Sequence, residues 1–201
     1  LMKNKLTHLA CAALIAVFAT LPLNAATKLN LDDQHSYVLW NIDHLGFSKQ
    51  SGKWYVKGTV LLDKEHPKKS SVKAQIDIAN LVTGLPELDK HLKSKLFFDV
   101  EKYPTATFVS NKVDVTSKTS AKVEGTLTLH GVSKPVTLMV KLNHVGKNPI
   151  NDKQTVGFTA STTIKRSDFG MTALLPHLGD EVTIEIGAEA NQENQEVPVK
   201  P

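Results

Sequence analysis

The sequence is poor in cysteine, and its one long apolar run lies near the N-terminus. Cys11 is the only cysteine among 201 residues, which excludes a disulfide framework within the chain and a structural zinc site built on cysteines. Charged residues of both signs make up 22% of the chain and the mean hydropathy is -0.17, which excludes a disordered tail protein and a multispan membrane protein. What is present, 201 residues of which 41% are hydrophobic, suits one domain, or at most two small ones, with enough core to fold without disulfides or metals.

Residues 1–26 are predicted to be a cleaved signal peptide. Two lysines precede an apolar run over residues 9–23, and two alanines follow it, an order typical of secretory signals. The run is shorter than the about 20 apolar residues of a spanning helix, and Pro22 interrupts its end. We place the cleavage after Ala26, with Ala25 as the alternative, and expect a periplasmic protein.

The positive net charge of the chain falls by half when this segment is removed. The whole sequence has a formal net charge of +4 and a pI of about 9.0. Removing 26 of the 201 residues, Lys3 and Lys5 among them, leaves 175 residues with a net charge of +2 and no cysteine. Basic runs do not exceed two residues, as at Lys68-Lys69, whereas nucleic-acid binding needs a clustered basic footprint. We therefore expect no nucleic-acid partner.

Apolar and polar residues alternate along most of the chain from Tyr37 onward, which predicts strands with one face in a core. In the first strand Val38, Trp40 and Ile42 share one face. The same period recurs in about eight segments. Turn residues separate these segments, as at His130-Gly131. The pattern predicts an all-β fold, either a closed antiparallel barrel or a sandwich.

One segment between the strands is predicted to be helical. Pro86 suits a first helical position, and Leu85, Leu88, Leu92 and Leu96 follow each other at spacings of three and four. We expect this leucine stripe to pack on the sheet. A mobile lid is the alternative.

The polar strand faces decide which way a barrel would face. Lys57, Lys73, Lys141 and Glu185 lie on them, and each would be costly in contact with lipid. The polar face therefore meets water, and the mature protein is not expected to span a membrane. An eight-stranded barrel is just wide enough to be filled by side chains or to hold one small ligand. The pattern leaves these two possibilities open.

Several motifs resemble the YceI-like family of polyisoprenoid-binding periplasmic proteins. In family order they are residues 44–48 (HLGFS), 89–94 (DKHLKS), 97–99 (FFD), 102–104 (KYP), 125–136 (GTLTLHGVSKPV), 166–170 (RSDFG) and 179–182 (GDEV). The resemblance implies an extended, eight-stranded, lipocalin-like β-barrel over residues 27–190 that holds a long isoprenoid or other lipid-like molecule. The polar residues 191–201 are expected to be a disordered tail. Family members often carry a basic residue where Leu88 stands, so the resemblance implies a different head-group preference here.

The implied partner is a long-chain apolar ligand, such as a polyisoprenoid, a quinone or a fatty-acid-like molecule, held for storage or transport. Apart from such a ligand no cofactor is expected, and a homodimer is the candidate assembly. The inward positions expected to contact the ligand are Trp40, Trp54, Ile76, Phe108, Leu127, Leu138, Phe158 and Ile184.

Three polar residues are candidates for contacts to a ligand head group. His44 continues the apolar face of the first strand, where an unpaired polar group is costly, so it is either a hydrogen-bonded structural residue or a polar anchor. Arg166 and Asp168 follow a strand end two positions apart. This spacing favours an ion pair at the barrel rim over a head-group contact. His130, before a glycine, is expected to be a turn residue.

The remaining histidines are scattered along the chain, so no metal site is expected. No nucleophile elbow, phosphate loop or dinucleotide fingerprint is present, which favours a binding protein over an enzyme. Two alternatives stay open. One is an enzyme acting on a lipid, with His44, Arg166 and Asp168 gathered at the barrel mouth. The other is a stress-related structural or interaction module with a filled barrel.

Overall fold

The computed structural model describes residues 26–192, which form nine antiparallel strands and one α-helix. Helix α1 (Pro86–Lys93) lies between the fourth and fifth strands, and short 3₁₀ turns lie at Pro67–Lys69 and Arg166–Phe169. The strands are β1 Thr27–Leu31, β2 Tyr37–His44, β3 Ser48–Leu62, β4 Ser71–Asp77, β5 Thr105–Val115, β6 Ser120–Leu129, β7 Val132–Lys147, β8 Gln154–Lys165 and β9 Leu178–Gln192. Apart from Ala26, the predicted signal peptide lies outside the described residues, as does the predicted tail beyond residue 192.

Eight strand positions close into a ring. The order is β3, β2, β9, β8, β7, β6, β5 and β4, and β4 pairs back with β3. β1 adds no ninth position, because it pairs with the same two neighbours as β2: Leu29 lies opposite Val60 of β3 and Gln192 of β9. The predicted eight-stranded antiparallel barrel is confirmed. The sequence did not predict β1, whose five residues are too few to show a clear alternation.

The break between β1 and β2 is held by side chains. The Asp32 carboxylate accepts hydrogen bonds from the backbone N–H groups of Gln34 and His35, at 3.0 and 3.3 Å. The fully buried Ser36 hydroxyl donates to the Glu189 carbonyl oxygen at 3.1 Å and accepts from the Glu189 N–H at 3.2 Å. These bonds satisfy backbone groups of β9 where the strand pairing is interrupted.

The inward strand faces agree with the alternation. Val38, Trp40 and Ile42 are buried, whereas Asp43 on the opposite face is exposed, because successive side chains of a strand point to opposite sides. Gly52 of β3 lies opposite Trp40, and a Cβ at this glycine would come within 2.7 Å of the indole nitrogen. The absence of a side chain at residue 52 therefore makes room for the ring.

Helix α1 begins at Pro86 as predicted, with Leu85 as its N-cap, and ends at Lys93. Leu96 therefore lies beyond the helix, and Leu85 and Leu96 are 57% and 52% exposed. The predicted leucine stripe is thus only half used for packing. Leu92, the inner part of the stripe, packs against the main core cluster.

The residues that flank α1 anchor it at one end of the barrel. Leu81 and Phe97 are 2% and 8% exposed, and the ring of Phe98 meets that of Trp54 edge-on at a centroid distance of 5.3 Å. Val82 exchanges backbone hydrogen bonds with Lys53 of β3 at 2.8 and 3.0 Å. These contacts favour a fixed cover over a mobile lid.

The predicted turn at His130-Gly131 joins β6 to β7. Both residues have positive φ angles, 52° and 76°, as two-residue hairpins with the right-handed strand twist require. The His130 ring lies 3.2 Å from the Phe169 carbonyl oxygen. This contact ties the hairpin to the turn that follows β8.

Candidate functional site

The barrel contains a cavity of about 810 Å³. Its volume lies within the about 300–1,000 Å³ of typical small-molecule sites, and most of its lining is hydrocarbon. The structure therefore has an open lumen. The alternation of apolar and polar residues had not distinguished an open barrel from a filled one. All eight residues predicted to face the lumen line this cavity: Trp40, Trp54, Ile76, Phe108, Leu127, Leu138, Phe158 and Ile184.

The two tryptophans form the aromatic part of the lining. Trp40 and Trp54 lie on neighbouring strands with ring centroids 5.8 Å apart and planes tilted by 38°. Both indole N–H groups are buried and have no hydrogen-bond partner among the described residues. These are the only tryptophans of the sequence, so the intrinsic indole fluorescence of the protein comes from the cavity wall.

One end of the cavity, the helix mouth, is formed by α1, the β2–β3 hairpin and residues 166–178. Leu45 and Leu174 line it and are 48% and 57% exposed. Both have φ near +60°, a region that bulky side chains rarely adopt and that concentrates at functional loops. The rim of the helix mouth is thus built from exposed leucines held in an unfavourable backbone conformation.

The other end, the serine mouth, is formed by residues 63–71 and 115–120. Its lining is polar at the rim and apolar just inside, where Val113 and Leu142 contribute. The polar side chains that line the rim are Asp63, Lys64, Ser70, Ser71, Ser117, Lys118, Thr119 and Ser120.

Two of the three predicted polar contacts line the cavity at the helix mouth. His44 is half-buried and lies at the end of β2. Arg166 is 5% exposed and also lines the cavity. Asp168 is exposed and does not belong to the described lining. The structure therefore brings His44 and Arg166 to one mouth and leaves Asp168 outside it.

Arg166, the only arginine of the sequence, is bound by three backbone carbonyls. Its Nε donates to the Gly179 oxygen at 2.7 Å, Nη1 to Met171 at 2.9 Å and Nη2 to Leu178 at 3.0 Å. Burial lowers the pKa of the guanidinium, and the charge of Asp180 acts in the opposite direction. The side chain fastens the loop before β9 to the end of β8.

The predicted ion pair between Arg166 and Asp168 is wrong: no such pair forms within residues 26–192. Instead, Asp180 accepts hydrogen bonds from the Ser167 N–H at 2.9 Å and the Ser167 hydroxyl at 2.7 Å. Burial of Asp180 opposes its ionisation, but the bonds from Ser167 and the charges of Arg166 and Lys165 together lower the pKa of the carboxyl. Ser167 and Asp180 meet because β8 and β9 are antiparallel neighbours. Residue spacing within one segment does not reveal such a pairing.

A second group of ionisable side chains lies at the β1–β2 junction. Possible ligand atoms of Asp32, His35 and Glu189 lie within 4.8 Å of one another, although the sequence showed no such cluster. The His35 ring lies 3.1 Å from the Asp32 carboxylate, and this hydrogen bond raises the pKa of His35. Asn191 also donates to that carboxylate, at 3.2 Å. The hydrogen bonds that hold the β1–β2 turn therefore explain why these side chains lie close together.

Phe97, Phe98 and Met171 line the cavity but were not among the predicted contacts. They follow α1 and the Arg166–Phe169 turn, where no strand alternation marks an inward face. The sequence signal that could have found Phe97 and Phe98 is a pair of phenylalanines directly after a short amphipathic helix, because phenylalanine is among the residues most often buried.

An antiparallel ring closed around an apolar cavity is a lipocalin-like architecture. Residues 29–190 match the family model of the YceI-like domain, and the chain belongs to this family. A UPF0312 protein of Pseudomonas putida is 40% identical over 148 residues, covering 73% of this chain and 77% of its own length. Its counterpart from Pseudomonas fluorescens is 40% identical over 147 residues, covering 72% and 75%.

Solved structures have the same fold. BcnA of Burkholderia cenocepacia is 25% identical with a TM-score of 0.69, covering 79% of this chain and 98% of its own. The Campylobacter jejuni YceI protein is 30% identical with a TM-score of 0.65, covering 75% and 90%. A polyisoprenoid-binding domain from Saccharophagus degradans reaches a TM-score of 0.66 at 14% identity, covering 84% and 99%, a likeness of fold alone. Within residues 26–192, no helix has the length and apolar character needed to cross a bilayer.

Proposed function

We propose that the mature protein is a periplasmic binding protein that holds one long apolar chain in its lumen for storage or transport. The observation that carries this proposal is the open cavity of about 810 Å³ with a hydrocarbon lining. Such a chain is nearly insoluble and needs an apolar enclosure to cross water. The fold shared with a polyisoprenoid-binding domain supports a polyisoprenoid, a quinone tail or a fatty-acid-like chain as the ligand.

The expected affinity follows from the apolar surface that the ligand buries. Each buried methylene contributes about 0.8 kcal/mol, so about ten carbons contribute about 8 kcal/mol. After the cost of association and chain ordering, longer chains are needed to reach about micromolar binding. A ligand that binds with about micromolar affinity is therefore expected to have considerably more than ten carbons.

Both alternatives have less support. A filled barrel does not fit the open cavity. The lipid-enzyme alternative requires His44, Arg166 and Asp168 at one mouth, but Asp168 is exposed away from the lining and three donors of Arg166 are engaged by carbonyls. A binding role needs neither group to react. His44 is then a polar residue of the helix-mouth lining and takes no part in a reaction.

The direct test is organic extraction of protein purified from its native compartment, followed by mass spectrometry. We expect a co-purifying isoprenoid or lipid in near-stoichiometric amount. Added isoprenoid quinone should also quench the fluorescence of Trp40 and Trp54, since both line the cavity. Protein that yields no lipid and shows no quenching would contradict the proposal.

A cavity-filling substitution gives a second test. Ala160 lines the lumen, whereas Ser161, its neighbour on β8, faces outward and is exposed. Ala160→Phe should weaken chain binding at least about tenfold, because the ring takes up ligand space. Ser161→Phe is the matched control and should bind as the wild type does. Binding is measured by calorimetry and folding by circular dichroism, and equal affinities of two folded variants would argue against a lumenal site.

Export and assembly belong to the same proposal. Cell fractionation with N-terminal sequencing should find the protein in the periplasm, beginning at Thr27 or, with the alternative cut, at Ala26. Sedimentation velocity tests the proposed homodimer.

A further inference from the structure

The two mouths of the cavity differ in charge. Lys64 and Lys118 are the lysines that line the cavity among the described residues, and both lie at the serine mouth. Neither forms an ion pair within residues 26–192. At the helix mouth the cation is Arg166, which is buried and already donates to three carbonyls. The free positive charge at the cavity therefore lies at the serine mouth.

Nearby carboxylates are engaged elsewhere. Asp63 accepts the backbone N–H groups of Glu65 and His66, at 3.1 and 2.7 Å, and these bonds hold the turn after β3. On the β5–β6 hairpin, Asp114 and Glu124 bind Lys112 at 2.6 and 3.2 Å. These acids thus have partners other than Lys64 and Lys118.

The hydroxyl groups of this mouth are arranged to donate. The Ser70 Oγ accepts the Asp63 N–H at 3.0 Å, and the Ser117 Oγ accepts the Thr119 N–H at 3.2 Å. A hydroxyl that accepts through one lone pair keeps its own proton for another acceptor. Ser70 and Ser117 line the same mouth of the apolar lumen as Lys64 and Lys118. Several donors with net positive charge suit an anionic group with more than one oxygen.

We propose that the serine mouth binds an anionic head group, a phosphate or a carboxylate, while the apolar chain attached to it runs inward toward the helix mouth. The proposal rests on the lumenal chain binding proposed above and adds the head-group class and the orientation of the ligand. Hydrogen bonds from the serine hydroxyls orient the head group. The lysines supply attraction that salt screens, because both side chains are exposed.

Three ligands with one chain and different heads test this inference: farnesyl monophosphate, farnesoic acid and farnesol. Calorimetry at low ionic strength should show that at least one of the two acids binds about tenfold more tightly than farnesol. A preference for both acids assigns the site to negative charge in general, and a preference for the phosphate alone assigns it to phosphate. The preference should shrink at high salt.

The test variant is Lys64→Gln combined with Lys118→Gln. It should lose most of the preference for the acid while its affinity for farnesol stays within about twofold. The matched control, Lys57→Gln with Lys73→Gln, removes the same charge from the outer faces of β3 and β4, where both lysines are exposed. It should keep the preference, and His44→Gln at the helix mouth should keep it as well.

Two results would overturn this inference without affecting the proposed lumenal binding. One is that farnesol binds as tightly as both acids. The other is that the Lys64 and Lys118 variant has the same effect on the preference as its control. Loss of the preference in the His44 variant only would place the head group at the helix mouth instead. If none of the three ligands binds, including farnesol, the proposed lumenal binding fails rather than the head-group assignment.

Discussion

At the scale of single residues, Arg166 has the most to lose by substitution. Its planar guanidinium satisfies three carbonyls on the loop before β9, and a lysine ammonium cannot reproduce that fork. Arg166→Lys should lower the free energy of unfolding by about 3 kcal/mol, since buried acceptors lose their donors. Urea denaturation measures the change.

Asp168→Asn is the control for this substitution. The side chain is exposed and two residues away, so its stability should stay within about 0.5 kcal/mol of the wild type. A large loss of stability in Asp168→Asn would instead support the ion pair between Arg166 and Asp168, in place of the Ser167–Asp180 contact that the structure shows.

The pair Asp32–His35 predicts a pH dependence of stability. The hydrogen bond to Asp32 raises the pKa of His35 above 6.5, so this contribution is complete below that pH and is lost as the pH rises through the raised pKa. Burial alone would raise the pKa of Asp32, but the bond from His35 and backbone N–H groups lower it below 3.8. That contribution is present above pH 3.8 and is lost as the pH falls through the lowered pKa.

The His35–Asp32 pair is therefore most stabilising between pH 3.8 and pH 6.5. Between about pH 5.5 and about pH 8, the wild type should lose more stability than His35→Gln, which has no titrating ring. Thermal unfolding at both pH values measures this difference. Parallel losses in the two proteins would show that the bond does not couple to folding.

At the scale of elements, Gly58 marks a close approach of two strands. Its φ is +154°, and a Cβ there would overlap the Lys73 carbonyl oxygen of β4 and come within 2.9 Å of the Ala74 Cα. Gly58→Ala should therefore cost about 2–4 kcal/mol of stability, because backbone has to move. Gly157→Ala is the matched strand control, since its Cβ would meet nothing nearer than 3.9 Å. Equal losses at both positions, measured by denaturation, would contradict the steric argument.

The elements also show what sequence can predict. Strand faces were predictable at residues such as Trp40 and Phe158 because a period of two puts every second side chain inside. Strand β1 was not predictable in this way, because its five residues, Thr27–Leu31, are too few to show a clear alternation. The end of α1 at Lys93 was not predicted, because the leucine spacing continues to Leu96 although the helical backbone ends at Lys93.

At the scale of the whole molecule, the alternation defined an inner surface but not the space inside it. The side chains that line a lumen and those that fill it have the same pattern, so the cavity volume depends on how eight strands close. The serine mouth was hidden for a related reason. Lys64 and Lys118 lie in turns more than fifty residues apart, and the antiparallel succession of β3, β4, β5 and β6 brings both turns to one end of the barrel.

The pairing of β1 with β9 also places the first and last strands of the described residues side by side. Thr27 lies opposite Leu62, next to Asp63 of the serine mouth, and Gln192 lies opposite Leu29 on the same strand. The start of β1 and the end of β9 thus lie side by side at that end. A tag, tether or fused domain joined directly to the start of β1 or the end of β9 would stand beside the serine mouth and leave the helix mouth facing away from the attachment point. Immobilised through one terminus, the barrel presents its leucine rim outward.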